Sequence, residues 1–374
     1  MGKEDGAGAQ PVTDTFGPPG DAEFELALFG PGYGESVLMH IGHGQWMIVD
    51  SCTGVDGQPE ALRYLDGIGV DPARSVALIV ATHWHDDHIR GIARMVERCP
   101  NAQFCCAGVL CEEEFLAVVE AVEGRHLSAS GSGLRELHRV FSLLGEARMT
   151  PRHALSSRVV MRCESCTITS LSPGDEGYQK FLKSVGGLIP KANERKTRIA
   201  SLSPNEVAVA LWVDAGEFSV LLGADLEKCG WVTILNDGAT VTEGKASVFK
   251  IPHHGSKNAH EPGVWDQMVK PDPIAVLTPW RRGRHALPTR RDAKRILALA
   301  PNAYSSGASI RKSRKRSSSR VDRAVSKTLR DSSILLHSLD SHTSSVRLRR
   351  MLASGSPWSV ALTGGACHLA EFAA

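Results

Sequence analysis

The sequence predicts an α/β protein, and three observations carry that reading. Residues 76–81 (VALIVA) are continuously apolar and of strand length, as expected of a strand buried on both faces. Residues 45–50 (QWMIVD) carry similar weight, and helical patterns separate such runs at 59–65, 89–98, 112–122, 133–144 and 289–300. Side chains able to bind metal follow directly on the apolar runs: Asp50, His83 to His88, Asp225 and His253/His254. In a protein of strands and helices, strand ends meet at one rim, where sites are built.

Taken in order, residues 1–20 are rich in Gly, Pro and small polar residues and read as a disordered tail. One domain is expected over 21–374. Residues 23–28 and 37–41 are strands separated by the glycine-rich turn GPGYG, and 45–50 is a third. The helix at 59–65 is closed by the loop 67–71. The buried strand 76–81 runs into Thr82-His83-Trp84-His85-Asp86-Asp87-His88, followed by the helix 89–98. Helices at 112–122 and 133–144 precede strands within 159–171, and 180–198 is basic and loop-like with a short helix. Residues 206–213 and 218–222 form a hairpin that ends at Gly223-Ala224-Asp225. A strand at 247–251 ends at Pro252-His253-His254-Gly255-Ser256. A strand at 275–277 and the helix 289–300 follow, then a Ser/Arg/Lys-rich, mobile segment at 305–320. Closing strands are expected at 333–336, 345–348 and 359–362.

Composition excludes several classes. Apolar residues make up 42% and charged residues 22%, the mix of a soluble globular protein. No apolar stretch reaches the length of a spanning helix, so no membrane partner is expected. The N-terminal residues lack the apolar core of a secretory signal, and the nine cysteines are odd in number and scattered. Both point to a reducing, cytoplasmic setting. Cys163 and Cys166 form a CxxC without a second pair at zinc-finger spacing, so they read as buried thiols. The net charge of +2 hides an asymmetry. Residues 281–330 hold 16 Lys or Arg against Asp292 and Asp322, a net of +14, which leaves −12 for the remainder. Such a section suits an anionic partner, nucleic acid among them.

His83, His85, Asp87 and His88 place four potential ligands within six residues, between a buried strand and a helix. Crowded imidazoles do little for a core and lose stability if protonated. A divalent metal compensates for both, and imidazole with carboxylate suits zinc, manganese or iron.

THWHDDH resembles the HxHxDH signature of the metallo-β-lactamase-fold hydrolases. Asp50 in IVDSC resembles the family's early Asp, and Asp225 in LLGADLE and His254 in IPHHGS its later motifs, in order, over residues 21 to about 300. The resemblance implies an αβ/βα four-layer sandwich with the site on one edge. One subgroup is closer. FGPGYGESVLMHIGHGQWMIVDSC, NEVAVALWVDAGEFSVLLGADLE and FKIPHHGSKNA resemble the soluble hydrolase domain of competence DNA-uptake channel proteins. Two departures stand out. His285 and Pro288 are separated by two residues where the family has them adjacent, and Ser201 to Asn205 lack the histidine many members carry before the Asp225 strand. The subgroup resembles this chain in having Asn there.

The resemblance implies two divalent ions, zinc first and manganese or iron as alternatives. One site would comprise Asp87, His88, Asp225 and His254. The other, from His83, His85 and Asp225, would keep an open position. Asp225 is the expected bridge. Asp50 and Asp87 are assigned to catalysis, Asp50 by orienting a ligand or the attacking water. His254 is preferred to His253 as ligand, and Asp86 reads as a loop residue. His253, Lys257 and His285 are candidate substrate contacts, with His260 beside them, and each also reads as ordinary surface. Trp84 and Trp280 read as rim packing or as platforms for a base.

The expected function is hydrolysis by a metal-bound hydroxide, of phosphodiester bonds in nucleic acid held by residues 281–330. The alternatives are a small-molecule esterase, lactonase or small-phosphodiester hydrolase, and a nucleic-acid-binding module with a degenerate metal site. Oligomeric state is not legible in the sequence.

Overall fold

The structure is a computed structural model and describes residues 17–32, 34–123, 132–186, 203–237, 244–280, 286–308, 344–353 and 355–374. In chain order the strands of the first part are β1 (Glu23–Gly30), β2 (Ser36–His40), β3 (Trp46–Val49), β4 (Val76–Ala81), β5 (Gln103–Ala107) and β6 (Arg152–Ala154). Those of the middle are β7 (Arg158–Arg162), β8 (Thr167–Ser170), β9 (Leu211–Asp214), β10 (Ser219–Leu222), β11 (Ala246–Lys250) and β12 (Val269–Leu277). The last are β13 (Ala303–Ser305), β14 (Ser344–Met351), β15 (Ser359–Thr363) and β16 (Cys367–His368).

They form two eight-stranded sheets, in the orders β15-β14-β1-β2-β3-β4-β5-β6 and β16-β13-β12-β11-β10-β9-β8-β7. Each sheet follows the same plan. An antiparallel meander, β1 to β3 or β7 to β10, gives way to parallel strands, β3 to β6 or β10 to β13. Alternation along β10 shows how the layers pack. Val220 and Leu222 enter the core shared by both sheets. Leu221 turns instead to a second core with Trp231, Val264 and Ile296 of the helices Lys228–Asn236, Pro262–Met268 and Arg290–Leu299. Helices Glu60–Gly67, Ile92–Arg98, Glu113–Glu123 and Gly133–Glu146 flank the first sheet. The mixed α/β sandwich expected from the sequence is therefore present, with helices outside both sheets.

Several local expectations need correction. The helix at 89–98 is broken into a turn, Asp86–Ile89, and a helix, Ile92–Arg98. Ser51 causes the break: its N–H donates to the carbonyl of His88 at 2.7 Å and its hydroxyl to that of Arg90 at 2.6 Å, and Gly91 turns with φ +86°. Residues 204–207 form a 3₁₀ turn opened by Pro204, so the hairpin strand starts only at Leu211. Strands β5 and β6 were not anticipated, and β12 extends six residues further upstream than 275–277. The segment 305–320 is not mobile at its start. Ser305 ends β13, and Ser306 is fully buried, donating its N–H to the carbonyl of Leu277 at 2.9 Å. Residues 309–320, the expected strand at 333–336, His285 and residues 1–16 of the tail lie outside the described residues. Among the described residues no helix is long and apolar enough to cross a membrane.

Candidate metal centre

Asp50 follows β3, the 82–88 segment follows β4, Asp225 follows β10 and His253/His254 follow β11. The two sheets bring these ends together. Ligand-capable atoms of His83, His85 and Asp225 lie within 4.8 Å of one another, as do those of Asp87, His88 and His254. His88 Nε2 is 3.3 Å from Asp225 Oδ1, and His254 Nε2 is 3.3 Å from Asp87 Oδ2 and 3.9 Å from Asp225 Oδ2.

Hydrogen bonds behind the rings fix which nitrogen faces this space. The Asp50 carboxylate accepts from the Thr82 N–H and hydroxyl, both at 2.7 Å, and from His88 Nδ1 at 2.7 Å. Since the Thr82 hydroxyl proton goes to the ionised Asp50, its oxygen accepts from His83 Nδ1 at 2.9 Å. His254 Nδ1 donates to the carbonyl of Thr278 at 3.0 Å. The three imidazoles therefore each turn Nε2 toward this space, the atom that ligates metal once its proton is displaced. His83 Nε2 lies 3.1 Å from His85 Nδ1. His88 Nε2 and Asp225 Oδ1 are buried without a hydrogen-bond partner among the described residues, although they face each other. A shared cation would satisfy both, so the donors fit a divalent metal.

Burial disfavours charge on His88, yet the carboxylates of Asp225, Asp87 and Asp50 hold its pKa well above the usual value. Burial and the neighbouring His88 drive His83 well below it. Burial likewise opposes ionisation of Asp225, but His88 and His254 hold it well below the ordinary carboxylate value. Burial raises Asp50. Strained backbone gathers here too. Asp50, Ala224, His253 and His254 adopt φ of 59°, 44°, 48° and 54°, and Gly255 continues the left-handed run at 80°. Such residues cost about 1–3 kcal/mol each and persist where the surroundings over-determine them.

The remaining candidates fall into place around this centre. His253 is half-buried, with Nε2 4.0 Å from Asp225 Oδ2 and Nδ1 3.7 Å from Glu227 Oε1. Lys257 is exposed on the turn after it, and His260 lines a small pocket behind the turn with Trp231, Trp265 and Arg295. Asp86 points away, accepting from the N–H of Ser132 at 2.7 Å. Trp84 packs against Phe115 and Phe181, whereas Trp280 stacks on His254 with ring centroids 5.5 Å apart. Asn205 is buried, and its amide donates to Glu227 Oε1 at 3.4 Å.

Sequence reasoning missed Thr82 and Thr278 as ring-orienting groups, and it missed the buried pair Glu35 and Lys250. Each had a signal, Lys250 as a lysine inside the apolar run FKI and Glu35 as the acidic position of the glycine-rich motif GYGES.

The Metallo-beta-lactamase superfamily profile matches residues 29–129, a span that holds Asp50 and the 83–88 cluster but neither Asp225 nor His254. Over that segment the chain is similar to the metallo-beta-lactamase superfamily. Comparison with curated protein sequences gives no match. Among solved structures, the metallo-beta-lactamase fold protein YhfI from Bacillus subtilis is similar at 10% identity, over 75% of this chain and 95% of that one, with a TM-score of 0.38. A HARLDQ-motif mutant of a metallo-beta-lactamase from Cronobacter sakazakii is similar at 15% identity, over 60% and 75%, with a TM-score of 0.32. Zn(2+)-bound PqqB from Methylobacterium extorquens is similar at 13% identity, over 57% and 58%, with a TM-score of 0.31. The chemistry rests on the residues described above.

Proposed function

We propose that this protein is a metal-dependent hydrolase that uses two divalent ions, zinc first, to cleave phosphodiester bonds of nucleic acid. The observation that carries the reading is the convergence of two donor sets, His83/His85/Asp225 and Asp87/His88/His254, at one rim. Divalent ions bound there would polarise the phosphoryl group and make hydroxide available near neutral pH. The chain's own residues do the rest. His83, His88 and His254 are held with Nε2 facing inward, Asp50 locks His88 and Thr82, and Asp225 is placed to serve both sets.

The basic section supports the choice of substrate. Its described helix, Arg290–Leu299, carries Arg290, Arg291, Lys294 and Arg295, and Arg295 Nη2 donates to the carbonyl of Gly255 at 2.7 Å. Cations thus begin directly against the turn that presents His254. The resemblance to the competence-type hydrolase domain leads the same way.

The test is hydrolysis of end-labelled single- and double-stranded DNA by metal-loaded protein beside Asp225→Ala. Cleavage by the wild type alone supports the reading, and the fragment pattern separates exonuclease from endonuclease action. Cleavage by neither removes DNA as substrate and leaves small esters, lactones and small phosphodiesters as the next panel. Cleavage by both places the activity outside this site.

A further inference from the structure

We infer that the buried Glu35–Lys250 ion pair is a positioning device that holds the two halves of the donor set at a fixed spacing, one half on each sheet. The inference rests on the metal-centre reading above.

Both side chains are almost fully buried, and Lys250 Nζ donates to Glu35 Oε1. They come from different sheets. Glu35 immediately precedes β2, and Lys250 ends β11. Each also grips the loops that carry donors on its own side. The Glu35 N–H donates to the carbonyl of Asp87 at 2.8 Å, and the next hydroxyl, that of Ser36, donates to the carbonyl of Asp50 at 2.9 Å. The contact with Asp87 is so close that a Cβ on the neighbouring Gly34 would lie 2.1 Å from the Asp87 oxygen. On the other sheet, Lys250 Nζ also donates to the carbonyl of Ala224 at 3.1 Å, one residue before Asp225 and at a left-handed φ of 44°. The Lys250 carbonyl accepts from the Gly223 N–H at 3.1 Å. The pair therefore ties the backbone that presents Asp50 and Asp87 to the backbone that presents Asp225.

Its charge is also aimed. Glu35 Oε1 lies 3.9 Å from His88 Nδ1, and Oε2 lies 4.0 Å from His254 Nδ1. Those nitrogens already donate to Asp50 and Thr278, so the Glu35 carboxylate sits behind two rings whose other faces meet the metal locus. Negative charge there makes an imidazole a better ligand. Stability alone does not account for such a pair, because replacing a buried ion pair by apolar residues of similar size is often neutral or stabilising.

The experiment compares wild type with the double variant E35L/K250M, which leaves no unpaired buried charge, and with the single variant E35Q. Zinc stoichiometry and affinity are read by competition with a chromophoric chelator, and the visible spectrum is recorded with cobalt(II) in place of zinc. Melting of each chelated protein reports the fold separately. The expected result is a double variant that melts like wild type without metal, yet binds metal at least about tenfold more weakly and shows shifted cobalt bands. Wild-type affinity and an unchanged spectrum in that variant would overturn the inference. Should the double variant fail to fold, E35Q decides by the same readings, and loss of folding in both assigns the pair to the fold and overturns it too. Wild type that takes up no metal refutes the metal-centre reading itself, so the two failures are distinguishable.

Discussion

Replacing Asp50 with Asn tests whether hydrogen bonds behind the rings select the ligating nitrogen. The Asp50 carboxylate is buried and accepts three hydrogen bonds, from the Thr82 N–H, the Thr82 hydroxyl and His88 Nδ1, each at 2.7 Å. Asn can keep the first through its oxygen. Its amide then faces the Thr82 hydroxyl and His88. An amide nitrogen donates and does not accept, so His88 Nδ1 must become the acceptor and Nε2 must carry the proton. That proton points at Asp225 and blocks ligation. Binding metal then requires reversing the tautomer and leaving two donors face to face, at the cost of one buried hydrogen bond, about 1–3 kcal/mol. At about 1.4 kcal/mol per decade, metal affinity falls roughly 5- to 100-fold. The assay is zinc competition with a chelator. Wild-type affinity would refute the reasoning.

Other outcomes follow from the same geometry. Because donors come from both sheets, a shared ion cross-links them, and zinc at a hundred times its dissociation constant is expected to add about 2.7 kcal/mol of stability; a melting temperature that does not respond to zinc, or that responds equally in Asp225→Ala, would contradict a shared ion. In chelated protein, Asp225 and Asp87 have folded pKa values held below the ordinary 3.8, despite burial, by His88 and His254. Their contribution is full above pH 3.8 and is lost as pH falls through the depressed values. The urea midpoint of chelated wild type should therefore drop more steeply below pH 4 than that of Asp87→Asn, and parallel curves would count against it. At the 163–166 turn, a hydrogen bond from Cys166 lowers the half-buried Cys163 thiol to about 6. Alkylation at Cys163, followed by peptide mass spectrometry, should rise through about pH 6 and move toward pH 9 in Cys166→Ala; no movement would remove the Cys166 side chain as the cause.

How much of this was legible in the sequence depends on how far apart the partners lie along the chain. His83, His85, Asp87 and His88 share one loop, so their spacing displays the chemistry without reference to the fold. Asp50, Asp225 and His254 were legible because each follows an apolar strand, although nothing local says that those strand ends face one another. The break in the helix after His88 was not legible, since Ser51, which takes the carbonyls of His88 and Arg90, lies on another strand end. Strands β5 and β6 escaped because neither QFCCA nor RHA holds a β-branched residue to mark it as a strand. The Glu35–Lys250 pair is the extreme case, joining residues 215 positions apart. What a sequence displays is therefore the part of a site that one loop can carry. The part that fixes distances between loops belongs to contacts across the sandwich, and in this protein those contacts are polar groups buried directly beneath the donors.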